Sequence, residues 1–182
     1  MKKLNILFLT IAFVFASCEF DKGFEEMNVN PTASNDLGVG PKFAYLFLKS
    51  AGEEYEVSFT EILCAGQLVQ QVLDISFPQG SIYTIRQDLN YAWWETQYGT
   101  TIKSVVDIIA QLEAEGNSGT EMGIARIWRA FIFHKIVDTY GDTPYFDAGR
   151  GFLDGNVRPV YDSAESIYMD MLNELDQGVA QI

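Results

Sequence analysis

Apolar residues recur at spacings of three and four through most of the chain after Pro41, and this pattern limits the fold more than any other sequence feature. Such spacing gathers apolar side chains on one face of an α-helix. It predicts a helix over Phe43 to Ser50 and four later helices. The apolar faces of those four are Phe59, Ile62, Leu63, Gly66, Val69 and Leu73; Trp94, Tyr98, Ile102, Val105, Ile109 and Leu112; Ile124, Ile127, Trp128, Phe131, Ile136 and Tyr140; and Ile167, Met171, Leu175 and Val179.

Capping residues mark where several of these helices begin and end. Thr120 is a predicted N-cap, Gly141 follows the helix that ends at Tyr140, and Asp162 or Ser163 caps the last helix. The last apolar pattern is still running at Ile182 without a cap, which is typical of a fragment. Helices joined by short connections predict an all-α fold of tetratricopeptide-like helical hairpins, with long irregular loops and a truncated C-terminus.

The N-terminus reads as an export signal. Two lysines precede an apolar run from Leu4 to Phe15, and small residues then lead to Cys18. This order predicts a signal peptide over residues 1–17, and the small residues before the cysteine resemble a lipobox, so Cys18 is the predicted lipidation site. A plain signal peptide is the alternative. Residues 18–40, rich in Asn, Pro and Gly, are a predicted tether with loops, and residues 41–182 form the helical domain.

The net charge and the small number of Cys and His residues argue against several classes of function. The formal net charge of −13 disfavours binding to nucleic acid, which relies on clustered Lys and Arg, and it disfavours binding to anionic lipid by charge alone. Membrane attachment therefore depends on the N-terminal lipid. Zinc sites draw on several Cys and His ligands, whereas the sequence has His134 and, apart from Cys18, Cys64. We predict no metal, no cofactor and no enzymatic activity.

Aromatic residues, at 14% of the chain, cluster between Phe77 and Tyr98. Residues 76–90 contain Pro78 and Gly80 and are a predicted loop with a short strand-like stretch. Aromatic rings with polar edges suit stacking on sugars or on peptide side chains. We predict that Trp94 and Tyr98 pack in the core. The predicted ligand contacts are Phe77 and Tyr83 in the loop and Trp93, about 100° around the helix from Trp94.

Several short motifs occur in an order that resembles the SusD/RagB outer-membrane lipoproteins. After the lipobox come Asn28-Val29-Asn30-Pro31, Trp94-x-x-x-Tyr98-x-x-x-Ile102, Ala125-Arg126-Ile127-Trp128-Arg129-Ala130, Tyr140-Gly141-Asp142-Thr143-Pro144-Tyr145, and Pro159-x-Tyr161-Asp162 before Ile167-Tyr168. The turn from Tyr140 to Tyr145 is the most specific of these motifs, and its residue types favour a scaffold role.

The resemblance implies a surface-exposed, lipid-anchored protein of the outer membrane of Bacteroidota. Such a protein captures a nutrient, a glycan or oligosaccharide first and a peptide second, and delivers it to a SusC-like TonB-dependent transporter. The acidic residues Glu19 and Asp21 resemble a surface-export signal. Two alternatives remain open: a lipid-anchored helical-repeat scaffold that binds protein partners in the envelope, and a lipoprotein hydrolase with its catalytic part beyond Ile182.

Overall fold

The computed structural model describes residues 37–53, 56–78, 80–84 and 86–182. Across these residues the backbone forms six α-helices and no β-strand, so the predicted all-α fold is confirmed. The helices are α1 (Val39–Ser50), α2 (Gln87–Thr96), α3 (Ile102–Ala114), α4 (Thr120–Tyr140), α5 (Gly151–Asp154) and α6 (Ala164–Gln181). Two π-helical segments, Val57–Gly66 and Gln97–Thr101, and a 3₁₀ turn at Gly80–Ile82 complete the regular structure.

Three pairs of α-helices make the main packing contacts. α3 packs against α4 across a five-residue connection, α4 packs against α6, and α1 lies against α3. The core contains apolar side chains of α1, α2, α3, α4 and α6 and of the turn after α4. The largest fully buried ones include Trp93, Tyr145 and Phe133. No helix in the described ranges is long and apolar enough to span a membrane. The predicted signal peptide, Cys18 and the tether as far as residue 36 lie outside those ranges.

Helix ends agree with the capping residues to within one position. α4 begins at Thr120 and ends at Tyr140, and Gly141 after it has a φ of 77°, a backbone conformation that favours glycine. Ser163 caps α6, because its side-chain oxygen accepts a hydrogen bond from the Ser166 backbone N–H. The helix over Phe43–Ser50 is also confirmed as part of α1.

The turn after α4 is held by three side chains. The Asp162 carboxylate accepts hydrogen bonds from the backbone N–H groups of Tyr145 and Phe146 at 2.9 and 3.0 Å. Asp142 accepts one from the Ala164 backbone N–H at 2.8 Å. The Tyr98 hydroxyl donates to the Pro144 carbonyl at 2.7 Å. These bonds join the turn to both α2–α3 and α6, which supports the scaffold role predicted for it.

Three predicted helix faces are partly wrong. In α4, Phe131 is exposed, and the buried side chains include Met122, Ile132, Phe133 and Val137, which lie outside the predicted face. The helix expected as far as Leu73 ends earlier, because Gln70 adopts a left-handed φ of 58° and the backbone N–H of Val72 bonds the Gly66 carbonyl as the chain reverses. Val69 and Leu73 are consequently exposed. In α6, Ile167 and Met171 are buried as predicted, but Leu175 and Val179 are exposed. Glu174 and Gly178 take the places facing α4.

Candidate binding cleft

A cleft of about 430 Å³ lies between the π-helical segment Val57–Gly66, the loop before α2, the start of α2 and the end of α4. Its volume falls in the range typical of small-molecule sites. Its lining residues are Thr60, Glu61, Leu63, Cys64, Ala65, Leu68, Gly80, Thr84, Arg86, Leu89, Asn90, Asp138 and Thr139.

One wall of the cleft is a loop held in place by the fully buried side chain of Gln67. The Gln67 carboxamide donates to the Phe77 carbonyl at 2.8 Å and accepts from the backbone N–H and hydroxyl of Ser81 at 3.2 and 3.3 Å. Gly80 makes this approach feasible, since a Cβ there would lie 2.6 Å from the Gln67 Cβ and 2.8 Å from the Leu63 carbonyl oxygen. A single buried amide therefore fixes the position of the loop.

The opposite wall depends on the hydroxyl of Tyr140. This hydroxyl donates to the Asn90 carbonyl at 2.5 Å and accepts from the Trp94 backbone N–H at 3.0 Å. Burial raises the pKa of Tyr140 to about 12, so the hydroxyl stays protonated and keeps donating at neutral pH. The Thr60 hydroxyl, also buried, donates to the Leu89 carbonyl at 3.4 Å. These bonds join the first turns of α2 to α4 and to the π-helical segment.

The charged groups at the rim have partners within the protein. Arg86 donates to Asp88, with Nε 2.8 Å from Oδ1, and this hydrogen bond lowers the pKa of Asp88. Glu61 lies 3.4 Å from the Lys135 ammonium. Asp138 lies 3.0 Å from His134 Nε2 and accepts a hydrogen bond from Tyr168.

Two neutral polar groups of the lining remain uncommitted. The Asn90 carboxamide and the Thr84 hydroxyl have no hydrogen-bond partner in the part of the chain that the structure describes. Cys64 is half-buried beside them, and burial raises the pKa of its thiol. The cleft thus presents a largely apolar floor with an amide, a hydroxyl and a protonated thiol.

Two of the predicted ligand contacts lie on the loop wall. Phe77 is 41% exposed and Tyr83 is 65% exposed. Tyr83 adopts a left-handed φ of 58°, rare for a residue other than glycine, and its hydroxyl accepts a hydrogen bond from Gln70 Nε2 at 2.9 Å. Both rings are open to solvent beside the residues that line the cleft, and their contact with a ligand stays a prediction. The predicted lipidation site, Cys18, lies outside the described residues.

The predicted division between Trp93 and Trp94 is wrong. Trp93 is only 2% exposed, in contact range of Gly52 and beneath the Lys135 ammonium at 4.7 Å, whereas Trp94 is half-buried. In a regular α-helix, Trp94 would lie on the same face as the buried Val105, because the two residues are eleven positions, or about three turns, apart. The π-helical turn Gln97–Thr101 contains one extra residue per turn, which moves the buried stripe onto Trp93. Trp93 is therefore a core residue and not an exposed ligand contact.

Sequence reasoning missed the residues at the start of α2. The loop was expected to extend to Asn90, yet α2 begins at Gln87, with Asp88 in its first turn. An acidic residue in that position favours a helix N-terminus and was a usable signal. Because the helix starts early, Leu89 and Asn90 face the cleft instead of belonging to the loop.

Other candidate chemistry is absent from the cleft. His134 is exposed on α4, and its partner among the described residues is Asp138, four residues later. Among the described residues, no group of three or more His, Cys, Asp and Glu side chains is arranged to hold a metal ion. Asp154, Gly155 and Asn156 form a turn, in which the Asp154 carboxylate accepts from the Asn156 backbone N–H at 3.0 Å.

Comparison with known proteins finds one family and several similar structures. A family model for SusD-like proteins, described as "Starch-binding associating with outer membrane", matches residues 47–182. A solved structure titled "Bacteroidetes AC2a SusD-like" has a TM-score of 0.68 at 20% sequence identity over 80% of this chain. A solved chitin-binding protein has a TM-score of 0.69 at 26% identity over 78% of this chain. No curated protein sequence matches.

The chain spans less than a third of each of these solved structures, 27% of the first and 30% of the second. The first likeness is one of fold alone, given its sequence identity.

Proposed function

We propose, because the chain belongs to the SusD/RagB family, that it forms the N-terminal portion of a protein that binds a glycan at the outer membrane. The cleft of about 430 Å³ between the π-helical segment and α2 carries this proposal, since it offers neutral polar groups above an apolar floor. The chitin-binding protein of similar fold supports a glycan in preference to a peptide.

The exposed rings of Phe77 and Tyr83 are proposed to contact the ligand beside the cleft. Sugar rings stack on aromatic faces, and both side chains stand on the loop that Gln67 anchors. The paired charges at the rim and the exposed position of His134 support binding without catalysis. We accordingly propose that the protein acts as a receptor.

Delivery and anchoring extend the proposal beyond the described residues. We infer that Cys18 carries lipid, that the protein faces outward, and that it passes its ligand to a SusC-like TonB-dependent transporter. The association with the outer membrane in the family's description supports this inference. Incorporation of labelled palmitate into the full-length protein, lost in Cys18→Ser, tests the anchor. Copurification of the transporter with the tagged full-length protein tests the partner.

The binding proposal is tested with the full-length protein on a panel of glycans and peptides. Binding to at least one glycan, weakened by Tyr83→Ala and unaffected by Phe152→Ala, is the expected result. Phe152 is a suitable control because it is exposed on α5, outside the cleft lining. Binding to peptides alone, or to no ligand on the panel, would overturn the proposal.

An exposed apolar stripe favours the alternative function of a protein-binding scaffold. Tyr168, Leu172, Leu175 and Val179 are exposed on α6 at spacings of four, three and four. Apolar stripes of this kind mark protein contacts. Copurification of an envelope protein, combined with no response to any glycan, would favour the scaffold over the receptor.

A further inference from the structure

The electrostatics of the cleft favour a ligand without charge. Each of the three charged side chains in the lining, Arg86, Glu61 and Asp138, already has an oppositely charged or hydrogen-bonding partner within the protein. A charged ligand would have to break one of these pairs, or else enter without a counter-charge at a partly desolvated site, which is unfavourable. The overall charge of −13 adds a general repulsion of anionic ligands.

The floor of the cleft favours a ligand with an apolar group. Leu63, Ala65, Leu68 and Leu89 contribute aliphatic surface, and Cys64 adds a protonated thiol. Among the described residues, the lining contains no aromatic side chain on which a sugar ring could stack. A sugar hydroxyl placed on aliphatic surface would lose its hydrogen bonds to water without replacement. A methyl group placed there would gain from burial.

The two polar side chains of the lining that lack a hydrogen-bond partner among the described residues indicate the polar groups of the ligand. The Asn90 carboxamide can donate and accept at the same time, and the Thr84 hydroxyl can do either. Neither group has another partner within the described residues. A neutral amide next to a methyl group would satisfy the Asn90 carboxamide and fill the aliphatic floor together.

We propose that this cleft binds the N-acetyl group of an amino sugar, with the methyl carbon on the leucine floor and the acetamido N–H and C=O at Asn90 and Thr84. This inference rests on the proposed glycan-binding function and specifies the sugar class. A neutral acetamido group is the common substituent of glycans that combines a methyl with an amide donor and acceptor.

Three tetrasaccharides that differ mainly in this group provide the test. The β-1,4-linked tetramer of N-acetylglucosamine carries acetamido groups where cellotetraose carries hydroxyls, and the deacetylated tetramer carries amines. Calorimetric titration of the full-length protein is expected to give binding of the acetylated tetramer at least tenfold tighter than that of either relative. Equal or tighter binding of cellotetraose or of the deacetylated tetramer would overturn the inference.

Two substitutions locate the recognition within the cleft. Asn90→Ala is expected to weaken binding of the acetylated tetramer about tenfold with an unchanged circular dichroism spectrum, because its side chain bonds nothing in the described protein. Asn173→Ala, on the exposed face of α6, is the matched control and should leave binding unchanged. Unchanged affinity in folded Asn90→Ala would also overturn the inference.

The results of these titrations distinguish a failure of the acetamido assignment from a failure of the proposed glycan-binding function. Binding of a glycan that lacks N-acetyl groups, with no binding of the acetylated tetramer, overturns the acetamido assignment and leaves the glycan receptor intact. Failure to bind any glycan on the broader panel overturns both.

Discussion

Gly123 in α4 and Gly178 in α6 lie against each other, so that a Cβ on Gly123 would stand 2.6 Å from the Gly178 carbonyl oxygen. A Cβ on Gly178 would in turn lie 2.8 Å from the Ile127 side chain and 2.9 Å from the Gly123 carbonyl oxygen. The close approach of these two backbones explains why Gly178, and not Val179, faces α4. It also brings Glu174 close enough to pair with Arg126 at 2.5 Å.

Gly123→Ala is expected to destabilise the protein by about 1 to 3 kcal/mol, because the added methyl meets backbone and forces the two helices apart. Gly99→Ala is the control, since nothing lies within 4 Å of a Cβ at that helical position. It should be neutral or stabilising by up to about 1 kcal/mol. Urea denaturation of both variants measures the difference, and an equal stability for the two would contradict the close contact.

Trp93→Ala is expected to lower the free energy of unfolding by about 3 to 5 kcal/mol, as the truncation of a fully buried aromatic side chain. Tyr83→Ala should change it by no more than about 0.5 kcal/mol, since the ring is mostly exposed. Thermal melts followed by circular dichroism test this pair. Similar melting temperatures for the two variants would refute the burial assigned to Trp93.

Tyr140→Phe removes the hydroxyl that joins the Asn90 carbonyl to the Trp94 N–H. Leaving these partners unsatisfied is expected to cost about 1 to 3 kcal/mol. Tyr168→Phe is the control, because its hydroxyl bonds Asp138 in an exposed position, and its loss should cost less than about 1 kcal/mol. Denaturant midpoints of the two variants provide the comparison; a larger loss for Tyr168→Phe would argue against the role of Tyr140.

Alkaline pH should weaken the fold through the same hydroxyl. The pKa of Tyr140 is raised by burial to about 12 from an ordinary value of 10, so the folded state holds the proton more tightly than the unfolded state. This contribution to stability is complete below pH 10 and is lost as pH rises from about 10 to about 12. The stability gap between the native protein and Tyr140→Phe, measured by denaturation, should therefore narrow across that interval. A constant gap would contradict the prediction.

Cys64 should react slowly with iodoacetamide, because burial raises the pKa of its thiol and less thiolate is present at pH 8. In a Cys18→Ser variant of residues 1–182, where Cys64 is the remaining thiol, the half-maximal rate is expected at a higher pH than in the urea-denatured chain. A ligand in the cleft should slow alkylation further, since Cys64 belongs to the lining. Ligand binding without protection of Cys64 would place the ligand elsewhere.

Local signals in the sequence predicted much of the helical framework. Gly141 and Ser163 mark helix ends because each role depends on the residue type. Glycine adopts the positive φ after α4 without strain, and the serine side chain caps the start of α6. Periodicity alone failed where the helix geometry changed. The π-helical turn at Gln97–Thr101 shifts the buried stripe by one residue, and a regular period of 3.6 cannot reveal this shift.

The cleft was less predictable because tertiary contacts create it. Gln67 lies within an apolar pattern that suggested a continuing helix, yet its amide bonds carbonyl and N–H groups ten and fourteen residues later. Asn90 and Tyr140 are fifty positions apart and meet only in the folded chain. Phe77 and Tyr83 of the aromatic cluster are exposed on the loop that borders the cleft, and their contact with a ligand stays a prediction.

The anchoring of that wall at Gln67 has an implication for how the proposed ligand specificity can change. The carboxamide bonds backbone groups of Phe77 and a backbone group and hydroxyl at Ser81, so most of the loop's side chains are not needed to position it. Apart from Asp74, whose carboxylate accepts hydrogen bonds from the backbone N–H groups of Ser76 and Phe77, the described side chains of residues 69–78 and 82–84 can therefore vary while the loop keeps its position. If the proposed function holds, exchange of this loop between related proteins is expected to change the ligand while the helices keep their packing.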